Sequence, residues 1–273
     1  MLDSSSEETA AVATPLTVEQ AIANLKSEDL SLRYYAAWWL GRFRVSEIAA
    51  IEALIAALED EDYRTELGDY PLRRNAARAL GKLGDRRSVP GLLRCLSCSD
   101  YYVREAAAQS LGMLGDSSAI PALMELLAGG LAAAQEVPGR PHLTQPCEAV
   151  VEALGSLQAK EAVPLIEPFI DHPIPKVQYA ALRAMYQLTG DDAYGQRLMA
   201  GLQNEDLKWR RVVLADLGAI GYLPAGEAIA RTSAESSFKM IALKGLLEHQ
   251  LDRDQTQLSS PAIELMNLMD SLL

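Results

Sequence analysis

The chain has 273 residues, 49% of them hydrophobic, and a formal net charge of −12. That surplus of acid argues against a nucleic-acid binder, since phosphate backbones need clustered Lys and Arg, and no apolar run of about eighteen residues is present to cross a bilayer as a helix. Cys95, Cys98 and Cys147 are an odd number in a chain that shows no secretion signal, so they read as reduced thiols and not as a disulfide framework.

Residues 1–15 are mostly Ser, Glu, Thr and Ala, with neither a basic start nor an apolar h-region. They are expected to be a disordered leader to a cytoplasmic protein. From residue 16 to 248 one local pattern recurs. Leu32-Arg33-Tyr34-Tyr35-Ala36-Ala37-Trp38-Trp39-Leu40-Gly41 is matched by Leu72 to Gly81 and by Val103 to Gly112, a degraded copy ends at Leu154-Gly155, and Val177 to Met185, Trp209 to Leu217 and Phe238 to Leu246 continue the register. The anchors Leu40, Leu80, Leu111, Leu154, Met185, Leu217 and Leu246 recur about every 31 residues, with two gaps lengthened by insertions, which is the mark of stacked helical repeats. The predicted fold is all-α, a continuous superhelix (α-solenoid) of short two-helix units.

Within a unit, the first helix has a Pro near its start, as in Val89-Pro90 and Ile120-Pro121, where a missing N–H costs nothing. Asp29, Asp69, Asp100, Asp206 and Glu235 precede second helices and suit N-caps. Gly84-Asp85 and Gly115-Asp116 end units, with Gly as the left-handed cap. On the second helix the anchor, the residues four and eight before it (Ala36 and Leu32 in the first copy) and the one three after (Phe43) share one face, the expected buried stripe. Arg33, Arg73, Arg104 and Arg210 lie beside that stripe and read as bridges to the acidic caps of neighbouring units. Trp209 reads as core. Cys95-x-x-Cys98 lacks the second ligand pair that a structural zinc site needs, so no metal is expected.

Two insertions, 59–70 and 129–146, fall between the first and second helices of their units and should project from the same rim, where long loops tend to be functional. After Glu248 the repeat fades. Residues 249–273 are expected to cap the array, with an amphipathic helix over Pro261 to Leu272.

Positions six and two before each anchor point away from the stripe. In successive units they are Tyr34 and Trp38, Arg74 and Arg78, Glu105 and Gln109, Glu148 and Glu152, Tyr179 and Arg183. A Tyr/Trp platform one helix away from paired guanidinium groups suits a planar, amphipathic, anionic ligand, whose rings stack while its carboxylates are held bidentately. It suits a protein interface equally, because Trp, Tyr and Arg are enriched there too. Tyr35 and Trp39 sit nearer the helix flank. His142, His172 and His249 are scattered, and neither a phosphate loop nor a Ser/His/Asp arrangement is present. Composition and spacing alone lead to a binding scaffold.

The phrase Tyr34-Tyr35-Ala36-Ala37-Trp38-Trp39-Leu40-Gly41, with Tyr70 to Asp85 and Tyr101-Tyr102-Val103-Arg104-Glu105-Ala106-Ala107 after it, closely resembles the E-type subunits of the E/F-type phycobilin lyases of cyanobacteria, proteins of phycobilisome-lyase HEAT-like repeats. The resemblance implies a heterodimer with an F-type chain that attaches phycocyanobilin, through a thioether, to the chromophore-bearing cysteine of the phycocyanin alpha subunit. Phycocyanobilin would be a bound substrate, with no permanent cofactor. On this resemblance Tyr34 and Trp38 would stack on the bilin with Tyr35 and Trp39 in support, Arg74 and Arg78 would pair its propionates, and Glu66 or Asp69 on the inserted loop would give the proton. The nucleophilic thiol would belong to the acceptor. Two alternatives are the sibling that serves phycoerythrocyanin and isomerises the bilin, and a non-catalytic helical-repeat adaptor in phycobilisome assembly.

Overall fold

The computed structural model of the chain describes residues 16–251 and 258–273; the expected leader, 1–15, lies outside the described residues. Among the described residues the isolated bridge between Glu136 and Leu143 is the only sheet-like pairing. The rest is built of helices joined by short 3-10 turns. α1 (Val18–Asn24), α2 (Leu30–Arg42), α3 (Ile48–Ala57), α4 (Pro71–Leu83), α5 (Val89–Cys95), α6 (Tyr101–Leu114), α7 (Ile120–Leu127), α8 (Cys147–Ser156), α9 (Val163–Ile166), α10 (Pro175–Thr189), α11 (Asp192–Ala200), α12 (Leu207–Ile220), α13 (Gly226–Arg231) and α14 (Ser236–Gln250) alternate as first and second helices. The even-numbered helices stack in order, the odd-numbered ones pack along them, and α15 (Ser260–Asp270) closes against α13 and α14.

Local chemistry sets the helix ends. The carboxylates of Asp29, Asp100 and Asp206 accept from the amides of Ser31, Tyr102 and Lys208 at 2.8, 2.7 and 2.8 Å, satisfying N–H groups that the first turn leaves free. Gly84 and Gly115 end α4 and α6 with φ of 74° and 66°, a conformation that costs a residue with a Cβ. Two expected caps do other work. Asp69 makes no cap bond, because α4 begins on Pro71 behind Tyr70, and the Tyr70 amide instead donates to Asp100 of the next unit at 2.6 Å. Glu235 ion-pairs with Arg211.

All seven anchors are at most 1% exposed. Their paired glycines have a packing reason. A Cβ on Gly41 would come within 2.8 Å of the Cα of Ala79, and one on Gly112 within 2.9 Å of the Cα of Ala153. The partner in each case stands one residue before the next anchor, where interior helices keep small residues: Ala79, Ser110, Ala153 and Ala184. Small residues on both sides bring the second helices into near backbone contact. The buried stripe holds in the interior, with Leu72, Val103 and Val177 at one end and Leu114 and Leu188 at the other. It opens at the start of the array. Leu32 and Phe43, expected to be buried, are 39% and 61% exposed, because α2 has a stacked second helix on one side only.

The recurrent arginines are structural, yet their partners are chiefly backbone carbonyls and not acidic caps. Arg104 donates to the carbonyls of Cys98 and Thr144 at 2.7 and 2.9 Å, and Arg210 to those of Glu205 and Ser233, both at 2.9 Å. Arg33 reaches Asp60 at 2.7 Å, and Arg73 the carbonyl of Asp60 at 2.6 Å. The guanidiniums of Arg33, Arg104 and Arg210 thus tie the loop before their own helix to a neighbouring loop, while that of Arg73 braces only the loop before α4, a use that the fork of donors fits. The core lies between the two rows in adjoining clusters that meet at α10, which gives Ala180 and Ala181 to one and Tyr179 and Leu182 to the other. Tyr179, expected on the free face, is therefore buried, with its hydroxyl accepting from Asn204 at 3.1 Å. Trp209 is half-buried, edge-on to it at 6.4 Å.

Candidate functional site

The site begins on α2, whose sequence puts Ala36 and Ala37 on the buried side and leaves the rings for the others. Tyr35 and Trp38 are 47% and 43% exposed, with ring centroids 5.5 Å apart and planes 30° apart. Trp39 is half-buried against Phe43 at 5.0 Å, and Tyr34 is half-buried, its carbonyl accepting from the Asn75 side chain at 3.3 Å. The exposed aromatic pair is therefore Tyr35 with Trp38, not Tyr34 with Trp38. Tyr35 and Trp39 occupy the two positions that interior helices fill with the likes of Ala106 and Ser110. No preceding second helix presses on them, so large rings fit.

On α4, the next helix of the row, Arg74 is half-buried with its guanidinium carbon 5.6 Å from the ring centroid of Tyr102 on α6. Its Nε is buried and has no hydrogen-bond partner among the described residues. Arg78, one turn on, is exposed and pairs with Glu105 at 3.5 Å.

Past Tyr102 a cavity of about 500 Å³ opens, walled by Tyr101, Tyr102, Glu105, His142, Glu148 and Lys176 among others, a size within the range of ligand pockets. The second insertion forms one wall. His142 stacks on Tyr101 at 4.4 Å with planes 9° apart and meets Tyr102 edge-on at 5.6 Å, while its Nδ1 lies 2.8 Å from the Leu143 carbonyl. Arg104 fixes the end of the loop through the Thr144 carbonyl and through Gln145 at 3.1 Å. Arg140, also on the cavity wall, crosses to the first insertion, donating to the Leu67 carbonyl at 2.6 Å and lying 3.6 Å from Asp69. The structure does not bring Glu66 or Asp69 to the cavity wall. Glu66 is exposed on its loop, and the Asp69 carboxylate faces Arg140 and the Thr65 hydroxyl.

Residues 32–60 match the PBS lyase HEAT-like repeat family, and residues 65–133 and 148–218 match HEAT repeats. Phycocyanobilin lyase subunit alpha of Nostoc sp. (strain PCC 7120) is 65% identical over the whole of both chains, and that of Thermosynechococcus vestitus is 58% identical over 98% of each. The chain belongs to the phycocyanobilin lyase alpha-subunit family. Bilin biosynthesis protein PecE of Mastigocladus laminosus is a more distant relative, 42% identical over 90% of this chain and 86% of its own. The solved complex of CpcE and CpcF of phycocyanin lyase from Nostoc sp. PCC7120 contains a chain that is 64% identical and matches with a TM-score of 0.90 over 99% of this chain and 100% of that one.

In this lyase-family chain the free face turns acidic after α4, and nearly every acid there has a cation beside it. Lys176 ion-pairs with Glu148 and lies 3.9 Å from Glu105; Arg183 lies 3.8 Å from Glu152 and 3.0 Å from Asp216. Burial nonetheless pushes Glu148 up to about 7, against the pull of Lys176, and Asp216 up to about 6, against that of Arg183. Burial also raises Glu152. The thiols of Cys95 and Cys147 are pushed up to about 12 by burial, so neither offers a thiolate near neutral pH. Among the described residues no group of three or more His, Cys, Asp or Glu could hold a metal ion.

Sequence reasoning passed over Tyr101, Tyr102, Lys176 and Arg140, and set His142 aside as scattered. The length of the second insertion was the available signal, because it is the loop that carries His142 and Arg140 onto this face.

Proposed function

We propose that this chain is the alpha-type subunit of a heterodimeric bilin lyase, which works with an F-type partner to attach phycocyanobilin by a thioether bond to the chromophore-bearing cysteine of the phycocyanin alpha subunit. The observation that carries the site is Arg74: a half-buried guanidinium, stacked over Tyr102, with an Nε that finds no partner among the described residues. A buried donor left unpaired is costly, so this side chain gains by turning toward an acceptor, and an acidic ligand supplies one.

Tyr35 and Trp38, with Tyr34 and Trp39 behind them, give the tetrapyrrole rings a floor on α2. Arg74 and Arg78 take its propionates, Arg78 turning from Glu105 to do so. Such a grip holds the ethylidene group still while the acceptor brings up its thiol, replacing a random encounter with a fixed geometry. The nucleophile comes from the acceptor: Cys95 and Cys147 are buried and protonated, and none of Cys95, Cys98 and Cys147 lines the cavity. No helix among the described residues is long and apolar enough to cross a membrane, and we place the reaction in the cytoplasm.

The test is reconstitution. The chain is co-expressed with an F-type subunit, a phycocyanin alpha subunit and a source of phycocyanobilin, and the acceptor is digested and read by absorbance and mass. A thioether-linked, unisomerised phycocyanobilin on the alpha subunit is expected. An isomerised bilin would move the chain to the phycoerythrocyanin branch, and a stable two-chain complex that attaches nothing would make it an adaptor.

A further inference from the structure

The attachment reaction needs an acid. Addition of the acceptor's S–H across the ethylidene double bond forms a sulfur–carbon bond at the exocyclic carbon, converts the π pair into a C–H bond at the ring carbon and releases the thiol's own proton. Nothing is oxidised or reduced. One proton is delivered and one is returned, so a single carboxyl group can serve and be reset in each cycle. We propose that Glu148, in the first turn of α8 and on the wall of the cavity, gives that proton to the bilin, and that Lys176 positions it; the proposal rests on the lyase reading above.

Other cavity groups are placed for other work. His142 is stacked against Tyr101 and spends its Nδ1 on the Leu143 carbonyl. Burial makes the Tyr101 phenol a weaker acid than usual. Glu105 lies between Arg78 at 3.5 Å and Lys176 at 3.9 Å. Glu136 is exposed to water on the insertion. Glu148 is half-buried and faces Lys176 of α10 in a direct ion pair, Glu105 and Tyr101 of α6, and Glu152 one turn along its own helix. Its titration near 7 lets it both give and regain a proton at neutral pH.

The experiment uses the two-chain complex with the phycocyanin alpha subunit and phycocyanobilin, and follows the attachment rate from pH 5.5 to 9 alongside bilin binding by absorbance titration. For the wild type a bell is expected, rising as the acceptor thiol ionises and falling as Glu148 loses its proton. Glu148→Gln should bind bilin as before but attach it about a hundredfold or more slowly, without the falling limb. Glu148→Asp should keep a reduced rate with the limb. Lys176→Met should move the limb to higher pH, a shift that a purely structural role for the ion pair would not produce. A Glu148→Gln complex that attaches bilin within roughly threefold of the wild-type rate, or that keeps the falling limb, overturns the proposal while leaving the lyase reading standing. A wild-type complex that attaches no bilin overturns both.

Discussion

Arg140 donates to the backbone carbonyl of Leu67 at 2.6 Å, joining two insertions whose contacting residues stand 73 positions apart. Each insertion alone is a loop hung between two helices. Together, with Asp69 3.6 Å from the same guanidinium, they brace each other, and the second of them walls the cavity. The wall is held at its far end by Arg104 on the Thr144 carbonyl at 2.9 Å.

Arg140→Ala should uncouple that wall. A hydrogen bond from a charged donor is worth ~1.5–3 kcal/mol, so amide exchange across Thr65 to Asp69 should quicken by roughly tenfold or more, with the even-numbered helices unaffected. Hydrogen-exchange mass spectrometry checks this. Unchanged protection of that segment would mean that the two loops are ordered independently.

Gly41→Ala should destabilise the array. The added Cβ would meet the backbone of Ala79 at 2.8 Å, and backbone cannot step aside as a flexible side chain can. A cost of roughly 1–3 kcal/mol is expected, seen as a lowered Tm for the chain alone. A Tm equal to wild type would contradict the close approach of α2 and α4.

Asp100→Ala should cost more than Asp29→Ala. Asp100 accepts from the amides of both Tyr102 and Tyr70, at 2.7 and 2.6 Å, and is buried; Asp29 accepts from Ser31 and caps only its own helix. A single lost cap costs about 1 kcal/mol, and Asp100→Ala also strands a buried amide, worth ~1–3 kcal/mol more. Urea unfolding of both variants gives the comparison, and equal losses would contradict the shared role.

Stability should also change with pH in a definite direction. Burial raises Glu148 from 4.5 to about 7 and Asp216 from 3.8 to about 6, so the folded chain binds these protons more tightly than the unfolded one. Their contribution is fully present below the ordinary carboxylate range and is lost as pH rises through about 6 to 7. Asp85, held below its usual value by Arg87, acts the opposite way and only in more acid solution. Melting should therefore occur at a higher temperature at pH 6 than at pH 8, and Glu148→Gln, which removes the group that titrates between those values, should flatten most of the difference. A Tm that rises between pH 6 and pH 8 would contradict the assignment.

The fold could be read from the sequence because its governing signals are local. The Leu-Gly anchor, the Asp caps and the left-handed Gly84 and Gly115 each act within a turn or two of helix. Readings failed where the array ends or the partner is distant. Leu32 and Phe43 follow the same pattern as buried residues elsewhere, and only the lack of a stacked helix on one side of α2 exposes them. Tyr179 shares its register with Tyr34, yet it sinks into the junction of the two core clusters. The candidate site was legible on α2 and α4, where residue type alone marks Trp38 and Arg74. The cavity wall was not, because His142 meets Tyr101 across a long insertion whose path no periodicity dictates.

We propose that the bilin is taken up on the face of α2 and α4 that runs from Trp38 to Arg74. Titrating phycocyanobilin into the complex of this chain with its F-type partner, and following absorbance, tests it directly when Trp38→Ala is combined with Arg74→Ala. A lost stack is worth ~0.5–1.5 kcal/mol and a lost charged hydrogen bond ~1.5–3 kcal/mol, so uptake should weaken about tenfold or more with the Tm and the two-chain assembly intact. Uptake equal to wild type in a folded, assembled double variant would contradict the account.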